Sequence, residues 1–365
     1  MKLTALLLPL LTLLTHPANA DPTWTLSVFA GKPGEQGNLD GKGQQARLHL
    51  PADLQLSNDR LYLSDGEPSS KENYAASIRP DSKGLANRII ELDGSVRHGG
   101  IGGDKTSAYS AQGNLYQGDH GEIRKADAAS AKNIHVAWDK AIAPWLGRGG
   151  TDGCSAWLPC FADGNGQSAT LFDVKALAIG PDNTLYFSED GYSRADFHGI
   201  RAASADGTVR KIAGGGRRNA PLEGPCADTD WEVAGQRLFL DPPRHLLYLT
   251  NENGKGIRQI QLASANRPCQ VKLLNPAEWT HGVDMVGLND RGELYLRQML
   301  LTASGSWAFQ FIRFDPQTGH STTLFTPAIW DQYRPCDHIV VDPKRDVFYA
   351  SCMYSSVIVK IAAQP

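Results

Sequence analysis

One dipeptide recurs along the chain and limits what it can become. Leu-Tyr, or Phe-Tyr in its last copy, stands at Leu61-Tyr62, Leu115-Tyr116, Leu185-Tyr186, Leu247-Tyr248, Leu294-Tyr295 and Phe348-Tyr349. The tyrosines are 54, 70, 62, 47 and 54 residues apart, a mean of about 57, which is one sixth of the 345 residues from Asp21 to Pro365. A period of that size marks units that cannot bury their apolar faces alone and must stack on one another.

Each unit keeps one internal order. An apolar strand comes first, as in 176–179 (ALAI), 238–240 (LFL) or 339–341 (IVV), followed by a turn such as Gly180-Pro181-Asp182-Asn183. The Leu-Tyr strand is next, then a loop, then a strand reading Gly199-Ile200-Arg201 or Gly256-Ile257-Arg258. An Asp-Gly turn at Asp206-Gly207 leads into a last strand. Four short antiparallel strands make a twisted sheet. Six such sheets bury both faces only when set radially. The expected fold is all-β, a six-bladed β-propeller of four-stranded blades. The last unit supplies three strands, and Trp24–Ala30 is a strand without a unit, so the N-terminal strand is expected to complete the last blade and close the ring.

The residues also resemble a known family. Phe29-Ala30-Gly31, Asp40-Gly41, Ala46, Pro51 and 61–65 (LYLSD) match the pattern of NHL-repeat propellers. The stretch from Asp163-Gly164 through 169–172 (ATLF) to 212–215 (IAGG) matches it more closely. The other four units are degenerate. The resemblance implies the fold and names no function, because such propellers serve as binding platforms, sensors, lactone hydrolases and lyases.

Residues 1–20 have a basic start at Lys2, an apolar stretch from Leu3 to Leu14 and a small-x-small end at Ala18-Asn19-Ala20. This reads as a signal peptide cut before Asp21, leaving 21–365 as one propeller in the periplasm or outside the cell. The apolar stretch is too short to span a bilayer. With 36 basic and 39 acidic residues the net charge is −3, which offers no footprint for nucleic acid. Six cysteines in an exported chain favour disulfides. Cys336 and Cys352 flank the turn 342–346, which sets them opposite each other on adjacent strands. Cys154 and Cys160 are expected to close one loop, and Cys226–Cys269 follows by elimination.

In the family pattern an acid ends the Leu-Tyr strand and an Arg sits in the next one. The candidates are Asp65 with Arg88, Asp119 with Arg124, Glu189 or Asp190 with Arg201, and Glu252 with Arg258. A feature repeated in every blade reads as a brace, whereas departures point to function. Unit five has Arg297-Gln298 at the acidic position, beside Arg313 and before a long loop from Met299 to Trp307. Unit two has His120, and unit three a loop 191–198 that contains Tyr192. His281, Asp284, Asp337 and His338 stand at the entries of the innermost strands of units five and six. By propeller topology these groups, with Glu189, Asp190 and Glu252, gather at the mouth of the central channel, the usual ligand site of such folds.

His281, His338, Asp284 and Asp337 are a possible ligand set for Zn2+, or the carboxylates for Ca2+. Propeller amidating lyases use three channel His where this chain has two at matching positions. Glu223-Gly224-Pro225 resembles a lactonase motif but lies in a connection ahead of Leu238. Gly41 to Ala46 spells a dinucleotide motif without its strand-to-helix context. Two insertions, 65–87 and 139–166, the second with Trp145, Trp157 and Phe161, read as a lid, a partner-binding rim or packed loops. The favoured function is a secreted or periplasmic propeller that binds a protein partner or small ligand on its loop face without catalysis. The alternative is a metal-dependent hydrolase or lyase with His281 or His338 as base.

Overall fold

The structure, a computed structural model, describes residues 23–65, 88–98, 107–119, 121–131, 143–147, 162–190, 198–215, 221–229, 237–250, 256–279, 282–301, 307–325, 333, 336 and 338–364. They form six antiparallel sheets of four or five strands. The innermost strands are, in blade order, Pro51–Ser57, Ser107–Tyr109, Asp173–Ile179, Arg237–Asp241, Val283–Leu288 and His338–Asp342. Blade six is completed from the other end of the chain: Trp24–Ala30 pairs with Val357–Ala363, Trp24 opposite Ala363. Trp24 packs on Phe325 of blade five and Phe348 of blade six, with ring centroids 4.9 and 5.6 Å away.

The recurring dipeptide is explained by the alternation of side chains along a strand. In every blade the first residue points to the preceding blade and the tyrosine to the following one. Leu61 packs with Tyr349 of blade six, while Tyr62 stacks on Tyr109 of blade two, centroids 3.9 Å apart. Leu115 faces blade one and Tyr116 blade three; Leu185 faces blade two and Tyr186 blade four. Leu247 and Tyr248, Leu294 and Tyr295, and Phe348 and Tyr349 carry the pattern through the remaining interfaces. The apolar core is thus six wedges, one between each pair of neighbours, and together they close a ring. Burial pushes all six tyrosine hydroxyls above their ordinary pKa, Tyr295 and Tyr349 to about 12.

Ion pairs brace blades one and three from inside. Arg88 and Asp65 are both buried, 3.4 Å apart, and Arg88 also meets Asp40 at 2.8 Å. Arg201 and Glu189 are fully buried at 3.1 Å, and Arg201 also donates to Asp163 and to the Thr170 and Ala162 carbonyls. Of the alternatives for Arg201, the acid is therefore Glu189. In blade two Arg124 meets Glu122 at 2.6 Å, and in blade four Arg258 donates to the Leu222 carbonyl; the side chains of Asp119 and Glu252 lie outside the described residues.

Three blades gain a two-residue fifth strand on the outer edge: Gly41–Lys42, Gly164–Asn165 and Gly224–Pro225, each followed by a 3-10 turn. The glycine-rich stretch at Gly41 and the Glu-Gly-Pro at Glu223 are therefore the same architectural device. Unit four follows the pattern more closely than its sequence suggests.

Two disulfides are present, Cys226–Cys269 and Cys336–Cys352. The expected geometry of the second needs correcting. The ladder puts His338 opposite Ser351, so Cys336 lies two residues ahead of the strand rather than directly across from Cys352. Cys154 and Cys160 lie outside the described residues. Part of the expected insertion 139–166 is the outer strand of blade two, Ala143–Gly147. Trp145 there packs edge-on to Tyr116 at 5.2 Å, with the Lys125 ammonium 4.8 Å from its ring, so it is framework rather than lid. Trp157 and Phe161 lie outside the described residues.

Candidate functional site at the channel mouth

Register places one set of residues at a common level around the axis. Three residues beyond the first member of each dipeptide, the second strands carry Ser64, Gly118, Ser188, Thr250, Arg297 and Ser351. Opposite them on the inner strands stand Ala176, Arg237, Asp284 and His338 in blades three to six. In blade one the ladder jumps from Pro51 opposite Asp65 to Leu54 opposite Leu63, so Ala52 and Asp53 share Ser64 as partner. Bulges of this kind re-aim side chains. Of the five inner-strand sites described at this level, four therefore carry an ionisable group: Asp53, Arg237, Asp284 and His338. Blade three has a bulge at the same height, with Lys175 as the extra residue between Val174 and Ala176.

These groups meet across blades. His338 Nδ1 lies 2.9 Å from Asp53 Oδ1, both side chains about a third exposed at 36% and 37%. A carboxylate on Nδ1 makes that nitrogen the donor and leaves Nε2 to carry the lone pair of the neutral ring. Arg237 reaches past blade five and donates from Nη1 to the carbonyl of Ile339, 3.1 Å away. Its guanidinium is thereby held beside the residue that follows His338.

Blade five departs from the repeat in both strands. Arg297 replaces the buried small hydroxyl found in blades one, three, four and six, and sits 3.5 Å from Asp284 and over the Phe309 ring at 5.0 Å. Gln298 takes the brace position, donating to the Glu278 carbonyl at 2.7 Å and accepting from Gln310 at 2.7 Å. Both ends of the expected loop are strand, because Leu294–Leu301 and Trp307–Asp315 pair as one hairpin with Leu301 opposite Trp307; residues 302–306 lie outside the described residues. Leu301 and Phe309 are exposed on it.

In blade three Asp190 turns away from the brace and meets His198 Nδ1 at 2.6 Å. Asp173, opposite Asp190 in the ladder, pairs with Lys175.

Of the residues singled out from sequence, Asp284, Arg297 and His338 stand at the common level, Asp190 lies just above it, and Glu189 is enclosed in the blade-three brace. Desolvation pushes the Glu189 carboxyl above its ordinary pKa despite Arg201. His120, Tyr192, Glu252, His281 and Asp337 lie outside the described residues. Sequence reading passed over Asp53 and Arg237, and took His198 only as the end of the loop 191–198. The irregular start of the first inner strand after Pro51 was the one available cue for Asp53, while Arg237 depends on a contact between blades 102 residues apart in sequence. Among the described residues, no three His, Cys, Asp or Glu side chains are gathered to hold a metal ion. Among them also, no helix is long and apolar enough to cross a membrane.

No family model matches the chain, and no curated protein matches it in sequence. Solved structures are similar to it. An auxiliary nutrient binding protein from Bacteroides ovatus superposes with a TM-score of 0.53 at 13% identity, covering 94% of this chain and 78% of the other. An auxiliary nutrient binding protein from Bacteroides thetaiotaomicron gives 0.52 at 12% identity, covering 94% and 77%. A structural genomics protein of unknown function from Bacteroides thetaiotaomicron gives 0.50 at 14% identity, covering 94% and 77%. At such identities the likeness is one of fold.

Proposed function

We propose that the protein is an exported propeller that binds a small polar ligand at the mouth of its central channel. The observation that carries this reading is the ring of ionisable side chains at one level of the inner strands: Asp53, Arg237, Asp284 and His338. Elsewhere in the blades, buried charge is consumed in braces. Here it is partly exposed on the innermost strands, where a few placed polar groups can meet a ligand. The auxiliary nutrient binding proteins of the same fold support a binding role. Residues 1–20 read as a cleaved signal, and the two disulfides suit an oxidising compartment.

Calorimetric titration of the mature protein with neutral and acidic saccharides tests the reading. A ligand should bind, and Asp53→Asn or His338→Ala should weaken it about tenfold or more. Ligands whose binding ignores both substitutions would place the site elsewhere.

One observation favours a second reading, hydrolysis of a lactone or ester. With Nδ1 held by Asp53 and the side chain partly exposed, His338 keeps Nε2 available as a general base. Turnover of a chromogenic ester or an aldonolactone, lost in His338→Asn, would support it. Binding without turnover would leave the first reading alone.

A further inference from the structure

We infer that the ligand is anionic and that Arg237 holds its carboxylate or phosphate. The inference rests on the binding reading above and adds the chemical class of the ligand. Arg88 and Arg201 show how this fold treats a structural arginine: fully buried, with carboxylates and other oxygens around the guanidinium. Arg237 is treated otherwise. It is half-buried, donates one hydrogen bond to the Ile339 carbonyl, and among the described residues has no carboxylate partner.

The other charges at its level are engaged. Asp53 pairs with His338, and Asp284 with Arg297. Among the described residues, Arg237 therefore brings to the mouth a positive charge with no carboxylate beside it, partly withdrawn from water, its hydrogen bond there going to the Ile339 carbonyl. A cation so placed is costly without a counter-charge, and a planar guanidinium fork is matched to carboxylate and phosphate oxygens. Because Arg237 is pinned beside the residue after His338, an oxyanion on it lies on the His338 side of the mouth. Asp53 and Asp284 would repel an acid elsewhere in the ring, which fixes the orientation of the ligand.

The test uses the mature protein, with inorganic phosphate, gluconate and glucose 6-phosphate as probes and glucose as the neutral control. The Arg237 Nε–Hε resonance, assigned by its disappearance in Arg237→Lys, should move saturably with phosphate. Gluconate or glucose 6-phosphate should bind at least about tenfold more tightly than glucose, equivalent to about 1.4 kcal/mol. Arg237→Gln should remove that preference and Arg237→Lys should keep part of it. If Arg237→Gln does not fold, the resonance in the unsubstituted protein still decides.

A resonance indifferent to all three anions overturns the inference, as does anion binding unchanged in Arg237→Gln. Neutral saccharides that bind through His338 but not Arg237 would leave the binding site standing and remove the anion from it. Absence of binding by every probe and saccharide, with the resonance unmoved, would remove both.

Discussion

Cys352 stands in blade six where Glu189 stands in blade three, each four residues beyond the first member of its dipeptide. Each fastens the end of the second strand to the chain about to enter the inner strand. Glu189 accepts a hydrogen bond from the Phe172 amide at 2.8 Å, and Cys352 is bonded to Cys336. Asp65 does the same in blade one through the His49 and Leu50 amides, and Gln298 in blade five through the Glu278 carbonyl. One mechanical task is met by a carboxylate, an amide or a covalent bond. The arginine that accompanies the carboxylate gives way to Ile312 and Val359 in the amide and disulfide blades, where no buried anion needs balancing.

Removing half of the blade-three brace should be severe. Arg201→Ala leaves Glu189 buried and unpaired, and should lower the unfolding free energy by about 3–5 kcal/mol. The double variant Arg201→Met with Glu189→Leu should recover much of that loss. Urea denaturation at one pH compares the three proteins.

Asp65 should make stability depend on pH in an unusual direction. Burial raises its pKa to about 6, only partly offset by Arg88 and the two backbone amides. The unfolded carboxyl titrates near 3.9. Between those values the folded protein holds a proton that the unfolded chain has released, so this contribution is complete below about pH 4 and is lost as pH rises through about 6. The stability difference between the unsubstituted protein and Asp65→Asn should therefore fall by about 2 kcal/mol from pH 4 to 7. Denaturation curves across that range measure it.

The two disulfides should differ in worth. Cys226–Cys269 closes a loop of 43 residues and Cys336–Cys352 one of 16. Loop-closure entropy puts their contributions at about 4 and about 3 kcal/mol. Paired Cys→Ser variants, unfolded with and without reductant, should reproduce that order. A larger loss at Cys336–Cys352 would mean that it also holds the entry to the inner strand in place.

Deleting residues through Ala30 should abolish the cooperative fold instead of trimming an edge. That strand fills blade six and covers its apolar wedge through Trp24, Leu26 and Val28. Without it the open ring exposes an unpaired strand edge. Circular dichroism and a lost or broadened thermal transition would report the change. Adding the missing strand as a peptide should restore part of the signal.

Much of this molecule was legible in one dimension. A strand alternates its side chains with a period of two, so a dipeptide with two large apolar residues serves both neighbouring blades wherever it occurs. Its six copies therefore specified six radial sheets, and an unassigned first strand specified the closure. The acid and Arg of the braces in blades one and three were legible for the same reason, since they recur with the strands that hold them. The mouth was not legible in this way. Asp53 reaches its place through a bulge that shifts the ladder by one residue, and Arg237 acquires its meaning from a carbonyl in a blade two positions on. Local pattern determines which face of a strand is apolar, whereas the meeting of single side chains from blades one, four, five and six depends on ring closure and register, which only the folded chain decides.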